Sequence, residues 1–233
     1  MGTEIILGAI FYSMVLVTPF EAQSASSSAV VQIASAQLAS PAQVIAQKEL
    51  NLKDRLPNEF GASVFADNIL LALHYLKGDV QELKIDQNKP LNPTNMDWEK
   101  IREPFQVSFT LEPGQVFAFH GNFLPEFEDK VTQTANSRFF IQEGYKSLAG
   151  LGGNGVCHLA SLIDWTASEA NLEVVAKVDH DFYPVPGVPR EFGVSIQSQD
   201  KSQNLYIENN LEESVVFEFI ADSEKVNLLV KKS

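Results

Sequence analysis

The chain is short of thiols and of positive charge. Its 233 residues contain a single cysteine, Cys157, so no internal disulfide can form and a structural zinc site built from cysteines is excluded by count. Lysine and arginine total 17 against 30 aspartates and glutamates, a formal charge of -13. Such a field does not attract nucleic acid or an anionic membrane surface, and neither is expected as a partner. The four histidines, His74, His120, His158 and His180, make no HExxH pair. No metal and no cofactor is therefore expected, with a His-plus-carboxylate site the one alternative left open. Charge is also missing altogether from Gln23 to Gln47. There Ala, Ser, Gln and Val dominate, without the large aromatics that a core needs.

What is present begins with an apolar run, Ile5 to Val17, broken only by Gly8 and Ser13 and followed by Thr18-Pro19 and small residues around Ala22-Gln23-Ser24. This reads as an export signal or N-terminal anchor over residues 1–24, too short for an ordinary membrane span. One feature disagrees, because Met1-Gly2-Thr3-Glu4 carries no Lys or Arg. A strand or helix of the folded domain is the competing reading, and myristoylation at Gly2 fits the apolar run less well. Residues 25–48 read as a linker and 49–233 as one domain of ordinary size. The expected location is extracytoplasmic.

Within that domain the pattern predicts an α+β fold, a mostly antiparallel sheet with packed helices, one helix starting at a Gly-rich turn and Cys157. Phe65, Ile69, Leu73 and Leu76 recur at helical spacing over 57–77, with Gly78 as a stop. Residues 79–104 read as a long loop with a short helix at 96–102. Strands are expected at 106–111 and 115–120, joined by a Glu112-Pro113-Gly114 turn, and at 172–178, 192–197, 204–208, 215–220 and 226–230. The last of these are spaced like an antiparallel meander. Val156, Leu159, Ala160, Ile163, Ala167 and Ala170 form the buried stripe of a second helix over 155–169, with Cys157, Ser161, Asp164 and Ser168 on the neighbouring face. Phe117, Phe119, Phe123, Phe127, Phe139 and Phe140 read as core rather than as a sugar-stacking platform.

The candidate site is the start of that helix. Cys157 follows Gly150-Leu151-Gly152-Gly153-Asn154-Gly155-Val156, where free backbone N–H groups and the positive end of the helix dipole favour a thiolate. His180, between Asp179 and Asp181, and then Glu191 complete a possible triad: Cys157 as nucleophile, His180 as base and acid, Glu191 or Asp179 as the group that orients the imidazole. The N–H groups near Cys157 and His158 would serve as an oxyanion hole. Gly153, Gly155, His158 and Arg190 are the candidate binding residues, Arg190 because its planar fork takes a carboxylate bidentately. The alternative is packing: a small buried cysteine, glycines that allow close approach, a solvated His180 and an Arg190 held in a surface salt bridge.

In order and spacing these pieces resemble the VanW family, bacterial extracytoplasmic domains named after an accessory protein of vancomycin-resistance clusters. The resemblance runs from about Ala66 to Leu229. It rests on Asn68-Ile69 with Lys77-Gly78, on Leu111-Glu112-Pro113-Gly114-Gln115-Val116-Phe117, on Glu143-Gly144-Tyr145, and on Gly152 to Ser161, similar to the family's Gly-Gly-Val-Cys-Gln motif. His180, Arg190-Glu191 and Asn209-Asn210 follow at matching places. The chain departs from the pattern at Ala118, Asn154, His158, Asp181 and Glu191 and in the loop 79–104, which makes it a divergent member. The resemblance implies a compartment and a fold more than a reaction: an exported cell-envelope domain acting on peptidoglycan or surface peptides, or a non-catalytic cell-wall binding or protein-interaction module. Its expected partner is a cell-wall fragment or surface peptide, and no oligomeric state follows.

Overall fold

Strand β1, Gln43–Asn51, opens the described chain and is already part of the sheet. The computed structural model describes residues 42–82 and 90–232, all within one unit, Ser40–Ser233. The apolar run at 5–17 and most of the stretch read as linker lie outside the described residues. The end of that stretch does not behave as a linker, because β1 pairs antiparallel with the last strand, Leu50 facing Val226. Only Ala46 and Leu50 of β1 are fully buried, too sparse a pattern to announce a strand. Partner strand and register supply what the residues lack.

Helix α1, Glu59–Lys77, is capped by the Asn58 side chain, which accepts from the Gly61 N–H at 2.6 Å, and ends where Gly78 turns left-handed at φ 88°. Five consecutive residues, Ile69 to Leu73, are buried, as expected of a helix enclosed on all sides rather than laid on a surface. Two short helices follow, α2 (Asp79–Glu82) and α3 (Trp98–Arg102). Among the described residues no helix is long and apolar enough to cross a membrane.

Strands β2 (Phe105–Leu111) and β3 (Val116–Ala118) flank the expected turn but do not form a hairpin. With β4 (Val131–Thr134), β5 (Ser147–Leu148), β6 (Leu151–Gly152), β7 (Glu173–Ala176), β8 (Leu205–Glu208), β9 (Val215–Ala221) and β10 (Lys225–Lys232) they build two four-stranded sheets, β1-β10-β9-β2 and β4-β3-β8-β7, and a small β5-β6 ribbon. Among the described residues, these strands all pair antiparallel except β3 with β4. The chain therefore has the α+β, mostly antiparallel architecture that its sequence pattern predicts.

The sheets part at a corner where β2→β3 and β8→β9 cross side by side. Buried Asn209 holds it: its side-chain amide donates to the Leu111 carbonyl at 2.8 Å and the Glu213 carbonyl at 2.9 Å, while Gly114 donates to the Asn209 carbonyl at 2.7 Å. Both crossings stay hydrogen-bonded, so one turn serves two sheets. Phe109 of β2 stacks at 4.9 Å on both Phe117 of β3 and Phe217 of β9, joining the sheets through one core. Each such buried ring is worth roughly 1.5–3 kcal/mol. Of the aromatic set, Phe117, Phe119 and Phe139 are fully buried, and Phe123 and Phe127 pack on a small satellite cluster with Val116 and Tyr206.

The strand expected at 192–197 is absent. Arg190–Phe192 forms a 3-10 turn, and only Val194 makes a bridge, to Asp179. The cause lies on α4, Val156–Glu169: the Val194 N–H donates to Ser161 Oγ at 2.9 Å and the Ile196 N–H to Cys157 Sγ at 3.4 Å. Side chains of α4 take the donors a sheet neighbour would use.

Candidate functional site

The site is built on the turn before α4, and glycine is required there for two distinct reasons. Gly155 caps the helix at φ 103°, and a Cβ on it would stand 2.6 Å from the Phe65 carbonyl oxygen. Left-handed backbone and a hard contact with α1 therefore exclude other residues at once. Gly153, at φ 69°, meets Phe139 in the same way. Between them Asn154 accepts from the Leu148 N–H through its side chain at 2.9 Å and from the Asn68 amide through its carbonyl at 2.9 Å. Asn68 is fully buried on α1 and also pairs with Lys146 in both directions. The start of α4 is thereby fixed to α1.

Cys157 is half-buried against the segment 194–196. Its sulfur accepts from the Ile196 N–H at 3.4 Å and its thiol donates to the Ile196 carbonyl at 3.8 Å. Burial pushes the thiol above its ordinary value, partly offset by hydrogen bonding to the Ile196 backbone and by its own N–H. Burial thus works against the thiolate that a helix N-terminus favours. The His158 N–H, one of the donors expected to stabilise an oxyanion, bonds back to the Gly155 carbonyl at 2.9 Å.

His180 is held beside the same segment, its backbone N–H donating to the Gly193 carbonyl at 2.9 Å, and its ring meets His158. The two imidazoles meet edge-on with centroids 5.9 Å apart, and the His180 Nδ1 donates to the Tyr183 carbonyl at 2.8 Å. That bond leaves the lone pair on Nε2. Burial lowers the His180 pKa despite backbone hydrogen bonds that raise it, so the ring is neutral at pH 7. Phe182, 78% exposed, covers it at 4.0 Å. Glu191 points to solvent with no partner among the described residues, and Asp179 pairs with Val194 only through its backbone. Arg190 is 78% exposed and bonds Asp181 at 3.1 Å, a contact worth little at such exposure.

The structure therefore brings His158 and His180 together, seats Cys157 against Ile196, and leaves Glu191 and Arg190 on the surface. Two participants carry weaker sequence signals. Ser161 donates to the Cys157 carbonyl at 2.8 Å and accepts from Val194; its place on the Cys157 face of α4 was the only cue. Arg55 is 2% exposed and close enough to His158 to help depress its pKa. Nothing in the polar stretch around Arg55 distinguishes it from a surface cation. Among the described residues no group of three His, Cys, Asp or Glu side chains is arranged to hold a metal ion.

Comparison with known proteins follows the same residues. No curated protein and no solved structure matches the chain. The model of the family described as VanW like protein matches residues 107–230, from within β2 to within β10, and with them the glycine turn, Cys157 and His180. That match covers more than half of the chain, and the protein belongs to the VanW-like family.

Proposed function

We propose that this VanW-like chain is an exported cell-envelope protein that binds a cell-wall fragment or surface peptide without catalysing a reaction on it. The observation that carries the reading is the state of Cys157. Its proton is kept on by burial, and both its hydrogen bonds go to the Ile196 backbone, so the sulfur clamps the segment 194–196 onto α4. The apolar run at Ile5 to Val17 supports export. A Cys157–His180 enzyme is the second reading. In its favour, the Tyr183 carbonyl fixes the imidazole so that Nε2 is the free base.

Alkylation of the full chain across pH separates the two. The binding reading expects slow modification with an apparent thiol pKa at or above about 8.5, unchanged in His180→Ala. It also expects Cys157→Ser to cosediment with purified peptidoglycan as the parent does. A pKa well below that value that rises in His180→Ala would replace the binding module with the enzyme.

A further inference from the structure

Buried polar groups are normally paired, which makes the exceptions informative. Among the described residues the buried side-chain atoms with no hydrogen-bond partner are Arg55 Nε and Nη1, His158 Nδ1 and Tyr145 Oη. Those of Arg55 and His158 belong to one place. Arg55 and His158 are each 2% exposed, the charge of Arg55 bears on His158, and the His158 ring abuts His180. Two guanidinium nitrogens held out of water without a partner are costly unless an anion accepts their hydrogen bonds. Burial drags Arg55 down to about 10, with only Asp54 opposing.

The surroundings say what kind of anion fits. The residues on either side of Arg55 in the chain, Lys53, Asp54, Leu56 and Pro57, line an open cleft of about 440 Å³ together with Glu59, Tyr183 and Pro186, and Arg55 itself is buried outside that lining. Next to Pro186 in the chain, Gly187 lacks a side chain, and a Cβ there would come to 4.0 Å from Arg55 Nη2. Tyr183 lines the cleft, and its neighbour Phe182 lies exposed on the His180 ring. The Lys53 amine is engaged by Glu224 at 2.6 Å, and Asp54 and Glu59 stand on the rim. Acidic groups at the mouth disfavour a multiply charged anion, whereas a single carboxylate on an apolar body meets rings outside and a guanidinium fork within.

We propose that Arg55, with His158 beside it, is the carboxylate-binding point of this protein, and that the ligand is a carboxylate-ended molecule whose apolar part lies along Phe182 and Tyr183. Entry requires the segment 182–187 to yield, since the guanidinium is covered. The inference rests on the binding-module reading and supplies its ligand class. Arg55 lies ahead of the matched region 107–230, so the site joins a residue outside that region to histidines within it.

The test is titration of the full chain with 3-phenylpropanoate, its neutral amide and inorganic phosphate, followed by ligand-observed NMR up to about 10 mM. Saturable binding of the carboxylate is expected, weakened about tenfold or more for the amide and in Arg55→Met, with Arg55→Lys in between. Equal binding of acid and amide, binding unchanged in Arg55→Met, or binding of phosphate alone would overturn the proposal. Peptidoglycan cosedimentation that persists in Arg55→Met would leave the binding module standing without this site.

Discussion

Two buried charges in this protein are treated in opposite ways. Asp67 on α1 is 2% exposed and is met by Arg102 through two hydrogen bonds, at 2.7 and 2.8 Å, and by the Lys146 amine. Both cations reach solvent, with side chains 42% and 24% exposed, and Lys146 also lies over the Trp98 ring at 4.2 Å. Arg55 is as deeply buried, and its Nε and Nη1 have no partner among the described residues. The first arrangement ties α1, α3 and the loop before β5 into one body. The second contributes nothing to folding that an apolar side chain would not do better. A charge kept where stability does not need it points to recognition.

The sharpest way to break this comparison is Asp67→Ala. It removes three hydrogen bonds that tie α1 to α3 and to the loop before β5 and leaves their site on α1 empty, and a loss of about 3 kcal/mol is expected in urea unfolding. A loss below about 1 kcal/mol would mean the pair is no anchor. Arg55→Met should act in the opposite direction in ligand-free protein, raising stability by about 2 kcal/mol because an unpaired guanidinium is replaced by an apolar chain of similar length. Destabilisation instead would show that Arg55 is already compensated.

The smallest effect concerns a third charge. Asp164 on α4 is raised to about 6, first by burial and then by Asp179, with only the Ser168 hydroxyl, at 3.0 Å, opposing. Its folded pKa lies above its unfolded one, so the native state binds the extra proton between about 4 and 6. Its stabilising contribution is thus present below pH 4 and lost as pH rises through 6. Asp164→Asn should flatten that part of the stability profile and add on the order of 1 kcal/mol at pH 7.5. A profile identical to the parent's would exclude Asp164 as the titrating group.

How far these features were legible in the residues varies with how local their causes are. Helix α1 could be read from its spacing, its Asn58 cap and Gly78, and α4 from its stripe and the glycines before it, because helices are specified by neighbours three and four residues away. The β2–β3 turn was visible, but its outcome was not. Whether two strands pair or part depends on β8 and β9, some hundred residues downstream, and on Asn209 at the corner. The segment 192–197 has strand composition and still forms no strand, since Ser161 and Cys157 claim its N–H groups. At the site, glycine turn and cysteine stood out by type, whereas Arg55 looked like any surface cation.

The sequence by itself determined the α+β class, the family, the place of the glycine turn and the exclusion of disulfides, because composition and local periodicity carry that information. Only the tertiary structure decided that β1 joins the sheet, that Cys157 holds Ile196, and that Arg55 is buried beside His158. Those outcomes depend on desolvation and on partners distant in the chain, and the free energy of a buried group is set by what surrounds it in space.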